Sequence, residues 1–228
     1  MAWVDRAAPW MVSWGLWVGA AWAQPYPTQP IRIVVAYPAG GGADSLMRAM
    51  APRLGELLGQ QIVVDNRPGG NTVIGTQHAA ISRPDGYTLL AADSAYMTNP
   101  FLLAKLPYDT LRDFAPVVLL TASHTLLVVH PSLPVKTVNE LVAFARSRPG
   151  QLNYASGGNG NTTHLIGELL NSVAKIKIVH IPYKGSAPAI TDIVAGQVTI
   201  AFNGIFAVKS LVDAGRLRAI AVASPARK

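Results

Sequence analysis

The most constraining feature of the sequence is a strand, a glycine-rich turn and a helix start that follow one another within residues 31–45. Residues 31–36 form a nearly continuous apolar run, which is typical of a strand buried on both faces of a parallel sheet. Three glycines follow at 40–42, and Asp44 or Ser45 is expected to cap the helix that begins there. Because the free N–H groups and the dipole of such a helix favour negative charge, the stretch indicates a site for an anion.

The spacing of this turn excludes the common nucleotide-binding loops. A Walker loop has Lys and then Ser or Thr after its last glycine, where this chain has Ala43 and Asp44. The dinucleotide fingerprint has Gly or Ala at its third glycine position, which is Ser45 here. Taken alone, the stretch is compatible with a small-anion site or with an ordinary strand-to-helix turn whose glycines allow close packing.

The first residues of the chain have the pattern of an export signal. Residues 10–22 are uncharged and apolar, but they are fewer than the ~20 residues that a membrane-spanning helix needs. The segment closes with Ala21-Trp22-Ala23, which predicts a secretory signal peptide over 1–23, cleaved before Gln24, and an exported mature protein. An uncleaved anchor is the alternative. All 5 tryptophans precede the predicted cut, so the exported form would contain none.

The charge and the side-chain composition of the chain exclude several classes of function. The formal net charge is +7, which suits acidic small ligands or an anionic surface, but the basic residues are scattered singly and form no patch typical of nucleic-acid binding. The absence of cysteine rules out a thiol nucleophile and a disulfide framework. His164 and Glu168, one helical turn apart, are expected to form a side-chain pair and not a metal site. No metal and no cofactor is expected.

The rest of the chain alternates strands and helices in two successive sets. This alternation predicts an α/β protein of two lobes, with mostly parallel sheets flanked by helices. The expected division is 24–121 for the N-terminal part of the first lobe and 122–218 for the second, with 219–228 as a strand that crosses back to the first. Within the second set, Thr137 and Glu140 form a capping box that opens a helix.

Loops rich in Gly, Ser and Asn follow several of the predicted strands. In parallel α/β sheets, ligands bind outside the carboxyl ends of the strands, so these loops are expected to line one cleft between the lobes. They comprise residues 39–44, 93–95, 156–162, 184–186 and 203–204.

Several segments, in this order, resemble the substrate-binding proteins of tripartite tricarboxylate transporters, the Bug-type periplasmic receptors. They comprise residues 37–44, 66–69, 84–90, 108–109, 154–160, 182–185 and 214–219, together with His164 and Glu168. The resemblance covers Pro25 to Lys228. It implies a two-lobed, Venus-flytrap fold that closes on a small carboxylate without changing it chemically. In such proteins backbone N–H groups, hydroxyls and ordered water hold the carboxylate.

The resemblance also implies the ligand-binding residues. The first-lobe wall would comprise Ala39, Gly40, Gly41, Gly42, Asp44 and Ser94, and the second-lobe wall Ser156, Gly157, Thr162, Lys184, Gly185 and Asn203. The family often has an acidic residue where Asn203 stands. The implied partners are a small organic carboxylate and the membrane components of a tripartite transporter, with a sensor protein as the alternative, and the full-length form is expected to be a monomer.

The resemblance departs from the family at the end of the chain. Members of the family continue past the equivalent of Lys228 and return to complete the first lobe. An incomplete first lobe would leave an open sheet edge and exposed apolar surface. We therefore expect this chain by itself to be unstable or to aggregate, and to bind ligand weakly or not at all.

Two points stay open at the level of sequence. A secreted hydrolase or transferase that uses Ser156 or Lys184 is the alternative function. The identity of the carboxylate is also open among dicarboxylates, tricarboxylates, acidic amino acids and related organic acids, because backbone donors recognise a carboxylate without recognising what it is attached to.

Overall fold

The computed structural model describes residues 25–122 and 124–224, so the predicted signal peptide at 1–23 lies outside the described residues. The first part of the chain contains β1 (Ile31–Val35), α1 (Gly42–Leu58), β2 (Ile62–Asn66), α2 (Val73–Ala80), β3 (Thr88–Ala91) and α3 (Ser94–Leu102). The second contains β4 (Thr125–Val129), α4 (Val138–Ser147), β5 (Asn153–Ser156), α5 (Thr162–Ala174), β6 (Val179–Pro182), α6 (Ser186–Val194), β7 (Ile200–Gly204), α7 (Ile205–Asp213) and β8 (Arg218–Ala223).

The first lobe is built on a parallel sheet in the order β2-β1-β3. The central strand β1 is buried on both faces because helices cover the sheet, and Val34 and Val35 are fully inaccessible to solvent. Met47 of α1 packs on this sheet together with Ile33 and Val35. The apolar run at 31–36 is therefore the buried central strand that its pattern predicts.

The helix after β1 begins earlier than expected. Its first residue is Gly42 and its N-cap is Gly41, with no side chain capping it, so the prediction that Asp44 or Ser45 caps the helix is wrong. Asp44 lies within the first turn, where its carboxylate accepts a hydrogen bond from the Gly40 N–H at 2.8 Å. The acidic side chain thus ties the preceding loop to the helix.

The second lobe is built on five strands in the order β6-β5-β7-β4-β8. Strands β6, β5 and β7 run parallel, whereas β4 runs antiparallel to both β7 and β8. One face packs against α4 and α5 through Ile200 and Phe202, and the other packs against α6 and α7 through Ala201. The sheets are mostly parallel, as predicted.

Strand β8 corrects one expected boundary. Residues 219–223 belong to β8, which pairs with β4 in the second sheet, so the expectation that 219–228 crosses back to the first lobe is wrong for these residues. Ile220 and Ala221 hold the strand there because they pack against the core of the second lobe. Residues 225–228 lie outside the described part of the chain.

The two sheets share a strand order but differ in size. In each sheet one strand lies between the next two strands of the chain, as β1 does in β2-β1-β3 and β5 does in β6-β5-β7. The second sheet continues past β7, while β3 ends the first sheet among the described strands. The apolar run Val117–Leu120, which follows α3, is between 44% and 81% exposed. In the described part of the chain, no helix combines the length and the apolar character needed to cross a bilayer.

Candidate functional site

The N-termini of α1 and α6 meet between the two lobes. The N-cap residues are Gly41 and Gly185, and neither helix end has a capping side chain. The Gly42 N–H donates a weak hydrogen bond to Ser186 Oγ at 3.4 Å. A Cβ on Gly185 would lie 3.0 Å from Pro38 Cδ. The lobes approach this closely because glycine provides both caps.

This meeting of two helix ends concentrates positive potential. Each N-terminus carries roughly half a unit of positive charge on N–H groups that lack intrahelical partners. The negative charge of Asp44 does not cancel the positive charge of the helix ends, because Arg48 Nε donates to the same carboxylate at 2.9 Å and balances it. Burial by itself would raise the pKa of Asp44, but the hydrogen bonds from Arg48 and the Gly40 N–H outweigh burial and lower that pKa. Both oxygens of Asp44 are therefore engaged inside the first lobe.

A second set of contacts joins the lobes at the N-termini of α3 and α5. Ser94 Oγ accepts hydrogen bonds from the N–H of Thr162 at 3.0 Å and from its Oγ1 at 2.6 Å. Thr98 Oγ1 donates to the Gly160 carbonyl at 2.8 Å. These helices, unlike α1 and α6, are capped by their own Asp93 and Asn161. The two lobes are thus closed on each other through side chains.

The loop after β5 is held rigidly behind the α6 N-terminus. The Gly157 N–H donates to Thr163 Oγ1 at 3.0 Å, and its carbonyl accepts from the Gly185 N–H at 3.0 Å. A Cβ at position 157 would lie 2.7 Å from Asn161 Nδ2, so a larger residue would displace the side chain that caps α5. Ser156 is 1% exposed and lies beneath this loop.

A group of aromatic rings supports the same loop from below. Ser156 Oγ lies 2.6 Å from His180 Nε2, and the His180 ring stacks on His164 with a centroid distance of 4.0 Å. The Gly160 N–H donates to His164 Nδ1 at 3.0 Å. Burial, and then repulsion from His164, lower the pKa of His180 to about 4, so it is neutral near pH 7. The predicted pairing of His164 with Glu168 is replaced by a hydrogen bond from Tyr154 to Glu168 at 2.8 Å.

The remaining predicted residues have different surroundings. Ala39 is exposed at the rim of the first glycine loop. Lys184 is exposed and makes no hydrogen bond or ion pair with the residues that the structure describes. Asn203 is only 2% exposed, yet its Nδ2 has no hydrogen-bond partner among them.

The structure therefore brings most of the predicted residues to one interface. Those that meet across it or directly beside it are Gly40, Gly41, Gly42, Ser94, Gly157, Thr162 and Gly185. Asp44 and Ser156 are instead turned into their own lobes. Ser186 belongs to the loop 184–186 that was expected to line the cleft, but it was not among the implied ligand-binding residues, and Thr98 was missed altogether. The position of Ser186 directly after a glycine cap was an available signal, whereas nothing in the sequence marks Thr98.

Comparison with known proteins matches this chain to one protein family. The family model described as the tripartite tricarboxylate transporter family receptor matches residues 46–228. BugT from Bordetella pertussis is 37% identical over 207 residues, which are 90% of this chain and 64% of BugT. The chain spans 59% to 64% of the length of the curated relatives that it matches over most of its own sequence.

Solved structures agree with the family match. The R. palustris protein Rpa4515, solved with adipate, is 37% identical with a TM-score of 0.87, over 89% of this chain and 68% of that one. MatC from Rhodopseudomonas palustris, with bound malate, is 28% identical with a TM-score of 0.82, over 89% of this chain and 69% of MatC.

These TM-scores show that the chain shares its fold with both structures. Two further solved structures, at 37% and 30% identity, are described as a periplasmic transporter and as the periplasmic binding protein BugD. The matched family is described as one of transporter receptors. The chain belongs to the tripartite tricarboxylate transporter receptor family.

Proposed function

We propose that this protein captures a small carboxylate between its two lobes and delivers it to the membrane components of a tripartite tricarboxylate-type transporter. The observation that carries the proposal is the meeting of the uncapped N-termini of α1 and α6, with glycine at both N-caps. The protein would be exported by the signal peptide at 1–23, which is cleaved before Gln24.

The chemistry of the interface favours an anion that bridges the lobes. Two helix N-termini that face each other repel, and a carboxylate placed between them converts this repulsion into attraction. Hydrogen bonds from backbone N–H groups to a charged group contribute about 1.5–3 kcal/mol each. Relatives solved with adipate and with malate support the same ligand class.

Each lining residue then has a distinct part in the proposal. The first-turn N–H groups of α1 and α6, which lack intrahelical partners, bind the carboxylate, and Ser186 adds a hydroxyl to the residues implied by the family. Ser94 and Thr162 hold the lobes together once the ligand is enclosed. Lys184 contributes positive charge at the rim, while Asp44 and Ser156 fix the loops that carry the donors.

A glycine substitution at the lobe junction tests the proposal. Gly185→Ala introduces a Cβ close to Pro38 and strains a residue whose φ is +111°, so the lobes can no longer close. We expect the wild-type chain to bind adipate or malate in isothermal titration and the variant to bind about tenfold more weakly or worse. Gly215→Ala is the matched control, because φ there is +68° but the site is remote and open.

The same experiment separates a receptor from an enzyme. After prolonged incubation the acid is recovered and its molecular mass is measured by mass spectrometry. We expect this mass to be unchanged. Conversion of the acid, with loss of conversion in Ser156→Ala, would overturn the proposal in favour of a hydrolase or transferase. Failure of the folded wild-type chain to bind any carboxylate would overturn it as well.

A further inference from the structure

The loop after β5 contains an asparagine that is followed directly by a glycine. Asn159 is exposed and stands in a turn, and Gly160 after it has a φ of +73°. Because glycine has no side chain, nothing on that residue shields its backbone nitrogen from the side-chain carbonyl carbon of Asn159. A nucleophilic nitrogen and an amide carbon are therefore neighbours that a five-membered ring can join.

A proton acceptor already contacts this nitrogen. The Gly160 N–H donates to His164 Nδ1 at 3.0 Å, so Nδ1 carries no proton and can take one. The ring of His164 is held in this orientation by its stack on His180, at a centroid distance of 4.0 Å. A base at hydrogen-bond distance from the proton that it removes has the geometry of general base catalysis.

The other Asn-Gly pair of the chain, Asn203 and Gly204, has different surroundings. Asn203 is only 2% exposed, so water scarcely reaches its amide. Both residues belong to β7, where they pair with Leu126 and Thr125 of β4. A ring could form there only after these pairs had separated. The chain therefore carries a protected pair with which the exposed pair can be compared.

We propose that Asn159 is a self-modification site, at which His164 is the base that converts Asn159 and Gly160 into a cyclic imide and then into aspartate or isoaspartate. His164 Nδ1 takes the Gly160 N–H proton while the nitrogen forms a bond to Asn159 Cγ. The bond from Cγ to the side-chain nitrogen then breaks, and the imidazole returns the proton to the departing ammonia. Water adds to either carbonyl carbon of the imide and breaks its bond to the ring nitrogen. Water is the only co-reactant.

The modification acts on a contact between the lobes. The Gly160 carbonyl accepts from Thr98 Oγ1 at 2.8 Å, and a Cβ on Gly160 would overlap Leu102 Cδ1. Isoaspartate inserts an extra backbone carbon at this crowded point, and both products add a negative charge that competes with an anionic ligand for the positive potential of the cleft. Loss of carboxylate binding is therefore the expected consequence. This consequence rests on the proposed function, whereas the modification itself does not.

The rates of modification at the two Asn-Gly pairs test the inference. The chain is kept at neutral pH, folded or unfolded in urea, and the conversion of amide to acid is followed by mass spectrometry of the peptides that contain Asn159 and Asn203. We expect Asn159 to be converted faster in the folded chain than in urea, and Asn203 more slowly. His164→Gln should slow the conversion of Asn159 in the folded chain about tenfold or more, because it removes the base.

His78→Gln is the matched control, because His78 lies outside the loop and the stack and its replacement should leave both rates unchanged. Conversion of Asn159 that is no faster in the folded wild-type chain than in urea overturns the inference, whether or not His164→Gln folds. An unchanged rate in a folded His164→Gln variant, verified by thermal melting, overturns it as well.

Isothermal titration with adipate tests the consequence for binding. The number of binding sites per wild-type chain should fall in step with the fraction modified at Asn159. In Asn159→Gln, whose longer side chain does not form the five-membered ring, this number should stay at its own starting value. Undiminished binding by the modified chain overturns the consequence. A freshly prepared, folded chain that binds no carboxylate overturns the proposed function instead and leaves the measured rates of modification valid.

Discussion

At the scale of single residues, His180 links the glycine loop to the core of the second lobe. Its ring stacks with those of His164 and Tyr154, at centroid distances of 4.0 and 5.0 Å, and its Nε2 lies 2.6 Å from Ser156 Oγ. The nearby carboxylate of Glu168 is bound by the Tyr154 hydroxyl. A second positive charge this close to His164 would be repelled, and burial also disfavours it, so the stack requires that His180 be neutral.

This requirement predicts that acid destabilises the protein. Because burial first, and then His164, lower the pKa of His180 to about 4, against about 6.5 for an exposed histidine, the unfolded chain binds more protons between these values. Stability is therefore complete above about pH 6.5 and falls as the pH drops toward 4. Thermal melting at pH 7 and pH 5 should show a decrease on the order of several degrees.

Replacement of the histidine distinguishes this cause from general acid denaturation. His180→Gln can still hydrogen-bond to Ser156 but cannot titrate, so the difference in melting temperature between the two pH values should shrink. His78→Gln, outside the stack, should leave it unchanged. An identical pH dependence in wild type and His180→Gln would contradict the assignment.

At the scale of elements, the predicted helix starts show which helix boundaries can be read from the sequence. The capping box at Thr137 is confirmed, since its side chain accepts from the Glu140 N–H and α4 begins at Val138. The start of α1 was misassigned because its cap is a glycine, which leaves no side-chain signal. The glycines that conceal the first residue of the helix are nevertheless the signal that marked this turn as a candidate site, so the pattern located the loop but not the exact start of the helix.

The sequence pattern did not predict strand direction either. The run at 125–129 is apolar like its parallel neighbours, yet β4 runs antiparallel to both of its partners. An apolar strand buried on both faces has no residue pattern that encodes its direction, which depends on the path of the chain between lobes. Placement of β8 failed for the same reason. Contacts between lobes, such as the bond from Thr98 to Gly160, depend on tertiary packing alone.

The contact between α3 and α5 makes a prediction about closure. Ser94→Ala removes the acceptor for both Thr162 donors, and each lost hydrogen bond is worth about 1 kcal/mol. Since this contact exists between closed lobes only, we expect affinity for adipate to fall roughly five- to thirtyfold with little change in melting temperature. Ser82→Ala, which loses a bond to His78 within one lobe, should change stability and not affinity.

At the scale of the whole molecule, the two lobes are unequally complete. The first sheet has three described strands and the second has five. In the second lobe, α7 is followed by β8, which pairs with the strand next to β7. In the first lobe, α3 is followed by the exposed apolar run Val117–Leu120, with no sheet partner among the described residues. An open edge beside such a run is a site of aggregation.

This exposure predicts concentration-dependent association. Leu119 is 81% exposed within the run, so Leu119→Lys should reduce aggregation, measured by light scattering against protein concentration, without lowering the melting temperature. Leu111→Lys is the matched control, because Leu111 is also 81% exposed but stands outside the run. Equal aggregation of the Leu119→Lys and wild-type chains would contradict the assignment of this run as the surface through which the molecules associate.

The unequal lobes also bear on the order in which the molecule assembles. The three strands of the first sheet all lie within residues 31–91, whereas β4 of the second sheet pairs with β7 and β8 across residues 130–199. Closing a shorter loop costs less conformational entropy, so we expect the parallel pairs of the first sheet to form early and the pairings of β4 to form last. The smaller lobe therefore assembles from local contacts, and the larger lobe completes its sheet only in the slower step.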